Sequence, residues 1–482
     1  MKPAVIVGAG LSGLAAGVAL ASRRIPVLLL EQRPYAGGRA YSFRDRTTGD
    51  IIDNGQHLLI AGYVRTRAYL ETIGSAHLLD IQKTPELVFH HPRRGYVRLR
   101  LPPFPSPLHL LAGILASDLF SAGEKLRMVR AGAAIARESA EASRVPGGWT
   151  IDRWLDRVGA SPESRMSFWH PLAISMMNEK PESASARVFV RSLREAFLLH
   201  RSGAALAVPR AGLSELLVDP AVSFIRAHGG DVRFGVNVTE TLEADGAHAD
   251  GLSARARSAG GPVTGVRTQD GEVVDASGVI LAVPSTAVER LMPASCRARL
   301  HLREMSSAAV SPILCIHLWY AHPVSPHPVV GVLGRRIQWV FRHEHFNPVR
   351  GARGGAPGEA GREAGMESRR GAPGERLSLV ISAAREEAGW TNEALIAAGV
   401  QDCVALFGEI ARTPSHAVVI REKRATFSLS PSVESLRPGA QTPVSNLFLA
   451  GDWTATGLPA TVEGAIRSGE SAAEQARQAC SQ

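Results

Sequence analysis

Cysteine is scarce in this 482-residue chain, which has four: Cys296, Cys315, Cys403 and Cys480. No two of them form a C-x-x-C pair. That argues against a disulfide framework and a thiolate zinc site, and it suits a reducing compartment. Also absent is any dense block of lysine and arginine interleaved with aromatic residues. The net charge is +9 and the isoelectric point about 9.8, but the arginines are scattered. This argues against nucleic acid and leaves an acidic ligand or an anionic membrane surface as a partner. H-E-x-x-H is missing too: FRHEHF (Phe341 to Phe346) has the wrong spacing and no third ligand, so no metal site is expected. The uncharged run Val5 to Ser22 is long enough to imitate a membrane span or signal peptide. No A-x-A-type cleavage site follows it, and its small residues have a better use, so neither a transmembrane helix nor an export signal is expected.

What is present begins with length. A chain of 482 residues exceeds the size at which one core keeps growing, so two domains, or one with large insertions, are expected. Hydrophobic residues at 45% and charged residues at 21% are ordinary for a globular protein. AVIV (Ala4 to Val7) is short and wholly apolar, as a strand buried on both faces of a parallel sheet must be. GAGLSG follows, then the helical LAAGVALASRR with basic residues at its end, then PVLLLE (Pro26 to Glu31) as a second buried strand. This is a βαβ unit. Further on, VRFGVNVTET, GVILAVPSTAVERL and ILCIHLWY read as strands, the middle one passing into a helix, and residues 150 to 200 read as helices. Arg350 to Arg376 is glycine, arginine, glutamate and alanine with almost nothing to bury, and is expected to be a disordered insertion.

Gly8, Gly10 and Gly13 form G-x-G-x-x-G between strand and helix, where the glycines permit the turn, the approach of a pyrophosphate and close helix–strand packing. Glu31, at the end of the second strand, stands where a ribose hydroxyl is bound and disfavours a 2′-phosphate, and hence NADP. RPYAGGRA adds Gly37, Gly38 and Arg39, more backbone amides and a cation for a dinucleotide. At the far end, LFLAGDWTATGLPATVEGAIRSG places Gly451 and Asp452 after a strand and before a helix, a second segment closing on the same cofactor.

The stretch IIDNGQHLLIAGY, residues 51 to 63, sets Asp53, Asn54 and His57 between apolar runs. One reading is a turn, or a polar tie between loop and cofactor. For His57, a hydrogen-bonded core histidine is an equal alternative.

GAGLSG, E-x-R-x-x-x-GGR, ILAVP and AGDW…EGAIRSG together resemble the flavin amine oxidase and phytoene desaturase superfamily. Within it, DNGQHLLIAGY, the stretch His170 to Phe189, AVPRAGLSELL and GDWTATGLPATVEGA resemble the squalene-associated FAD-dependent desaturases of bacterial hopanoid biosynthesis, assigned as hydroxysqualene dehydroxylases. The likeness implies an α/β fold: a Rossmann-like FAD-binding domain of amine-oxidase type with an interleaved α+β substrate-binding domain. The FAD-binding parts would be residues 1–85, 205–292 and 426–482, and the substrate-binding parts a mainly helical 86–204 and 293–425. Carried over position by position, Gly8, Gly10, Leu11, Ser12 and Gly13 would take the pyrophosphate and Glu31 the adenosine ribose. Arg39 would lie near the phosphates and ribityl chain, Val238 would meet the adenine through its backbone, Asp452 would bind ribityl or phosphate, and Val462 and Glu463 would lie beside the flavin.

The same likeness runs residues 51 to 63 beneath the flavin, so that Asp53, Asn54, Gln56 and His57 become the few polar groups of a pocket for hydrocarbon. It implies reductive loss of an allylic alcohol, from hydroxysqualene to squalene and water, with Asp53, His57 and then Glu463 as candidates for the general acid, a group worth about 10²–10⁴-fold in rate. Trp169, Trp339, Phe341 and Trp453 would line the tunnel, or belong to the core. The alternative is a carotenoid-type desaturase acting oxidatively on a hydrocarbon, and a third possibility is a non-catalytic flavin-binding protein. A C30 substrate implies exchange with a bilayer, hence a cytoplasmic protein held peripherally at the inner membrane face. Leu101 to Met128 would then be either an interfacial segment, with Lys125, Arg127 and Arg130 towards headgroups, or an inward-folded lid. No second dinucleotide fingerprint names the electron donor, and no cysteine or histidine stands in an evident motif for covalent flavin attachment.

Overall fold

The computed structural model describes residues 2–139, 144–199, 202–244, 261–297, 300–343 and 374–480. Its organising element is a five-stranded parallel sheet in the order Asp231–Phe234, Val27–Glu31, Ala4–Val7, Gly278–Leu281, Leu447–Leu449. Numbered along the chain this is 3-2-1-4-5, the doubly wound arrangement. Its ligand crevice lies at the carboxyl ends of the strands where the order reverses, between Ala4–Val7 and Gly278–Leu281. AVIV, VLLLE, GVIL and LFL are buried at every position, which is why their sequences show no alternation. Helix Leu11–Ala21 is buried at all but one residue, which explains the uncharged run from Val5 to Ser22: a covered strand leads into a covered helix. Its outer neighbour is helix Val462–Cys480, so close that a Cβ on Gly469 would stand 2.1 Å from the Ser12 carbonyl oxygen.

The second unit is a seven-stranded sheet, His416–Phe427, Val310–Tyr320, Glu375–Ser382, Trp339–Arg342, Val329–Val332, Glu86–His91, Gly95–Arg100. Period-two alternation sorts its residues. Leu314, Ile316, Leu318, Leu377, Leu379 and Ile381 form one core with Leu395, Cys403 and Leu406 of helix Asn392–Phe407. Cys315, Val380 and Phe341 face the other way, towards Leu206 and Val208. Helices between Leu108 and Leu198 complete this unit.

Three expectations are amended. Residues 86–204 open with the hairpin Glu86–His91/Gly95–Arg100, which extends the sheet before the helices begin. The boundary at 425/426 falls inside the strand His416–Phe427. Of the insertion expected over residues 350–376, residues 350–373 lie outside the described residues, whereas Glu375 and Arg376 begin a buried strand and are 2% and 3% exposed. Their charges read as solvated, yet each has partners. Glu375 accepts from the backbone of Val324 and Ser325, and Arg376 is treated below.

Candidate active site

The glycine loop is shaped for an anion. Gly8 has φ +104°, and a Cβ there would stand 2.6 Å from the Ala282 carbonyl oxygen. A Cβ on Gly13 would stand 1.9 Å from the Gly8 carbonyl oxygen, while one on Gly10 would meet nothing within 4 Å. The first and third glycines are therefore demanded by the protein itself, and the second borders open space. Helix Leu11–Ala21 has no side-chain cap and no acid in its first turn, so its N-terminal amides point to that space unmatched. Leu11 and Ser12 are buried and offer only those amides: Leu11 packs in the core, and the Ser12 hydroxyl faces Ser468.

Glu31 is buried and organises the loop. Its carboxylate accepts from the Ala9 amide at 2.7 Å and the Arg33 amide at 2.9 Å. Gly37 donates to the Ala9 carbonyl at 2.8 Å, and Gly38 lies against Gly10, so the two glycine motifs form one surface. Val236 donates to the Glu31 carbonyl at 2.9 Å, which brings the turn before Val238 to the same strand end. Gly451 donates to Ser468 Oγ at 2.9 Å, tying the closing loop to the last helix, and Arg39 Nη2 donates to Asp452 Oδ2 at 2.7 Å. Val462 opens that helix as part of its core. A cradle without a side chain at Gly10, unmatched helix amides, a buried acid at the second strand end and a cation–carboxylate pair across the crevice fit FAD.

Asp53 ends the strand Ile51–Asp53 and is half-buried. Its Oδ1 accepts from Ser42 Oγ at 2.6 Å and from the Leu213 amide at 3.0 Å. Leu213 belongs to AVPRAGLSELL, so that motif folds against the acid, and Gly212 is required there because a Cβ would stand 2.6 Å from Ser42 Oγ. Burial pushes the Asp53 carboxyl above its ordinary range, opposed by Ser42, Leu213, His57 and Arg376. His57 moves the opposite way: burial lowers it, and Arg39 adds to the lowering. Its Nδ1 stands 2.7 Å from the Gly55 carbonyl and must carry the proton there, which leaves Nε2 of the neutral ring as an acceptor. The two shifts run in opposite directions, Asp53 towards its protonated form and His57 towards its neutral form.

Asn54 is a tie, its amide bonded to the Tyr41 carbonyl at 3.0 Å and its Oδ1 accepting from the Tyr41 amide at 3.4 Å. Glu463 is engaged elsewhere and is corrected as an acid. It is 2% exposed and caps helix Val64–Thr72, accepting from the Arg65 amide at 3.0 Å and from the Thr66 amide and hydroxyl at 2.8 Å. Its oxygens are thereby taken up in holding that helix.

The apolar part of the site lies between the sheet and the helices, lined by Leu87, Phe89, Leu99, Phe168, Phe197 and Trp339 among others. Leu58, next to His57, packs against the same apolar cluster as Leu87 and Trp339, which links the polar segment to the walls of the pocket. Of the four expected tunnel aromatics only Trp339 lines it. Trp169 packs edge-on to Trp154, Trp453 donates to the Val283 carbonyl, and Phe341 lies in the core behind. Phe89, Phe168 and Phe197 were missed, because an aromatic on a strand or helix carries no mark of which side it faces. Among the described residues no cluster of three metal-ligating side chains occurs.

Comparison with known proteins follows this geometry. The profile of the family described as flavin containing amine oxidoreductase matches residues 11–477. A hydroxysqualene dehydroxylase of Rhodopseudomonas palustris is 30% identical, with 98% of each chain covered. A 15-cis-phytoene desaturase of Synechococcus elongatus is 23% identical over 97% of this chain and 94% of its own. Among solved structures, an oxidoreductase from Methanosarcina mazei is similar with a TM-score of 0.68 at 18% identity, covering 98% of this chain and 100% of the other. At that identity the likeness carries the fold.

Proposed function

The chain belongs to the flavin containing amine oxidoreductase family, in the branch that holds the hydroxysqualene dehydroxylases, and is an FAD-dependent oxidoreductase; on that premise we propose that it reductively removes the allylic hydroxyl of hydroxysqualene to give squalene. The observation that carries this is Asp53 and His57, two half-buried titratable groups of opposite tendency, on a segment whose next residue, Leu58, packs against the same apolar cluster as Leu87 and Trp339 of the largely apolar pocket. FAD, held by the glycine loops, Glu31 and the Arg39–Asp452 pair, supplies hydride when reduced.

The protein's part is protonic. A hydroxyl is a poor leaving group, and a proton from Asp53 lets it depart as water. His57 Nε2 accepts a hydrogen bond from that hydroxyl or from the departing water and so orients it. The aromatic and aliphatic walls exclude other water. Per turnover one C–O bond breaks, one C–H bond forms, and one proton and one hydride are consumed. A hydrocarbon desaturated oxidatively has no hydroxyl to protonate and gives the Asp53 carboxyl nothing to do, which is why the desaturase reading ranks second. Squalene released on incubation of reduced enzyme with hydroxysqualene is the test.

A C30 alcohol resides in a bilayer, and the segment 101–128 provides a way to reach one. Leu101 lines the pocket, while Phe104, Leu108, Leu111, Leu115 and Leu126 are 37–56% exposed. No described helix is long and apolar enough to cross a membrane. This apolar rim, with Arg127 and Arg130 exposed beside it, is suited to lie on an anionic lipid surface and pass substrate inward. The segment thereby serves as both lid and interface. A separate electron donor recharges the flavin.

A further inference from the structure

The hairpin that carries Asp53 (Ser42–Arg44 paired with Ile51–Asp53) is fixed to the seven-stranded sheet by groups remote from it in sequence. Strand register sets Trp319 opposite Arg376, His317 opposite Ser378 and Cys315 opposite Val380. All six therefore stand on the face turned away from helix Asn392–Phe407. Trp319 Nε1 donates to Asp50 Oδ2 at 2.8 Å. Arg376 Nη1 donates to the Ile51 carbonyl at 3.0 Å and lies 3.9 Å from Asp50 Oδ2. Its guanidinium covers the Trp319 ring, 5.5 Å from the centroid, and also engages His343 Nδ1.

This cation is 3% exposed, and its Nε has no hydrogen-bond partner. Burying a guanidinium is costly, and one carboxylate beside it offsets the cost only in part. The arrangement has a use if a second negative charge forms nearby for part of the catalytic cycle. Asp53 forms one: when it has given its proton to the leaving hydroxyl, a carboxylate largely shielded from solvent is left.

We propose that Arg376 is the positioning residue of the acid, fixing through the Ile51 carbonyl the strand that presents Asp53 and stabilising the carboxylate that remains after proton delivery. This rests on the reading of Asp53 as proton donor. The titratable and charged groups that bear on Asp53 are His57 on its own segment and Cys315 and Arg376 from the sheet. The segment Leu213–Ser214 contributes an amide to Asp53 and a hydroxyl to Ser42. Asp50 and Asp45 act on Arg376 from the hairpin and the loop within it.

The test is infrared spectroscopy of the FAD-loaded protein across pH, following the carbonyl stretch of the protonated carboxyl that disappears in Asp53→Asn. Arg376→Met should raise the midpoint of that band by about one pH unit, the lower end of the effect of a nearby opposite charge. Arg376→Lys should restore most of the difference. Asp50→Asn, which removes a competing negative charge and keeps the side-chain shape, should lower the midpoint, and it decides the matter if Arg376→Met does not fold. A midpoint unmoved in Asp50→Asn and in whichever Arg376 variants fold, or the absence of any titrating band lost in Asp53→Asn, overturns the proposal. Squalene formation is assayed separately, so a wild-type enzyme that makes none while its Asp53 band responds to Arg376 would refute the proposed reaction and not this electrostatic link.

Discussion

Arg39 and Asp452 are 413 residues apart and joined by one 2.7 Å bond, Nη2 to Oδ2. The pair closes the crevice: Arg39 follows the second glycine motif, Asp452 begins the loop before the last helix, and Asp452 is 6% exposed. A hydrogen bond to a charged group contributes about 1.5–3 kcal/mol, and the solvent around Arg39 argues for the lower end. Asp452→Ala and Arg39→Ala should each weaken FAD binding by roughly tenfold. Fluorimetric titration of the apoprotein measures this, and unchanged affinity in both variants would remove the pair from the cofactor site.

The division of labour between Asp53 and Glu463 is separable. Asp53→Asn removes the proton donor and should lower turnover by about 10²–10⁴-fold while FAD remains bound. Glu463→Gln turns one of the two oxygens that accept from the helix amides into a donor and should cost about 0.5–2 kcal/mol of stability, with turnover falling far less. Parallel melting curves and single-turnover rates decide it. A large catalytic loss in Glu463→Gln at unchanged stability would return Glu463 to the chemistry.

Much of this site was legible in the residues themselves, and the limits are physical. GAGLSG, Glu31 and GGR are local: each motif carries its function within a few positions of backbone, so their roles survive without knowledge of the fold. Asp53 and His57 stood out because charge between apolar runs is costly unless it is used or satisfied. Arg376 did not stand out, because it closes a run rich in glycine and charged residues and its partners Trp319, Asp50 and Ile51 are remote from it in sequence. Glu463 was misjudged for the mirror-image reason. Proximity to the cofactor loop was readable, but the helix whose N-terminus it caps lies about 400 positions earlier.

His317 sets an acid limit on stability. It is 1% exposed, bonded through Nδ1 to Ser378 Oγ at 2.9 Å, and burial with the nearby Arg376 charge lowers it to about 3. Folded His317 therefore stays neutral where the unfolded residue takes a proton. The stability is fully present above the unfolded value of 6.5 and is lost as pH falls from there towards about 3. Urea midpoints should decline over this window, and His317→Gln should decline less steeply by up to about 1.4 kcal/mol per pH unit. Equal slopes would mean that His317 does not control this limit. His57, also lowered, adds to the same decline, whereas Asp53, raised, favours the fold at low pH and opposes it as pH rises through its folded value.

Lipid contact should follow the outward face of the segment 101–128. Replacing Leu108, Leu111 and Leu115 by serine removes apolar groups that are 37–54% exposed and should leave the melting temperature nearly unchanged. Co-sedimentation with vesicles containing anionic lipid should fall by roughly tenfold or more, given about 25 cal/mol per Å² of apolar surface withdrawn from water. Undiminished sedimentation would place the lipid contact elsewhere.

The central claim is that reduced flavin in this protein removes a hydroxyl from an isoprenoid alcohol. Purified FAD-loaded protein is reduced anaerobically with dithionite, freed of excess reductant and mixed with hydroxysqualene in detergent. Reoxidation of the flavin spectrum together with squalene detected by mass spectrometry is the predicted result. Flavin that stays reduced with no squalene formed, while oxidised enzyme introduces double bonds into phytoene or squalene, would contradict the account.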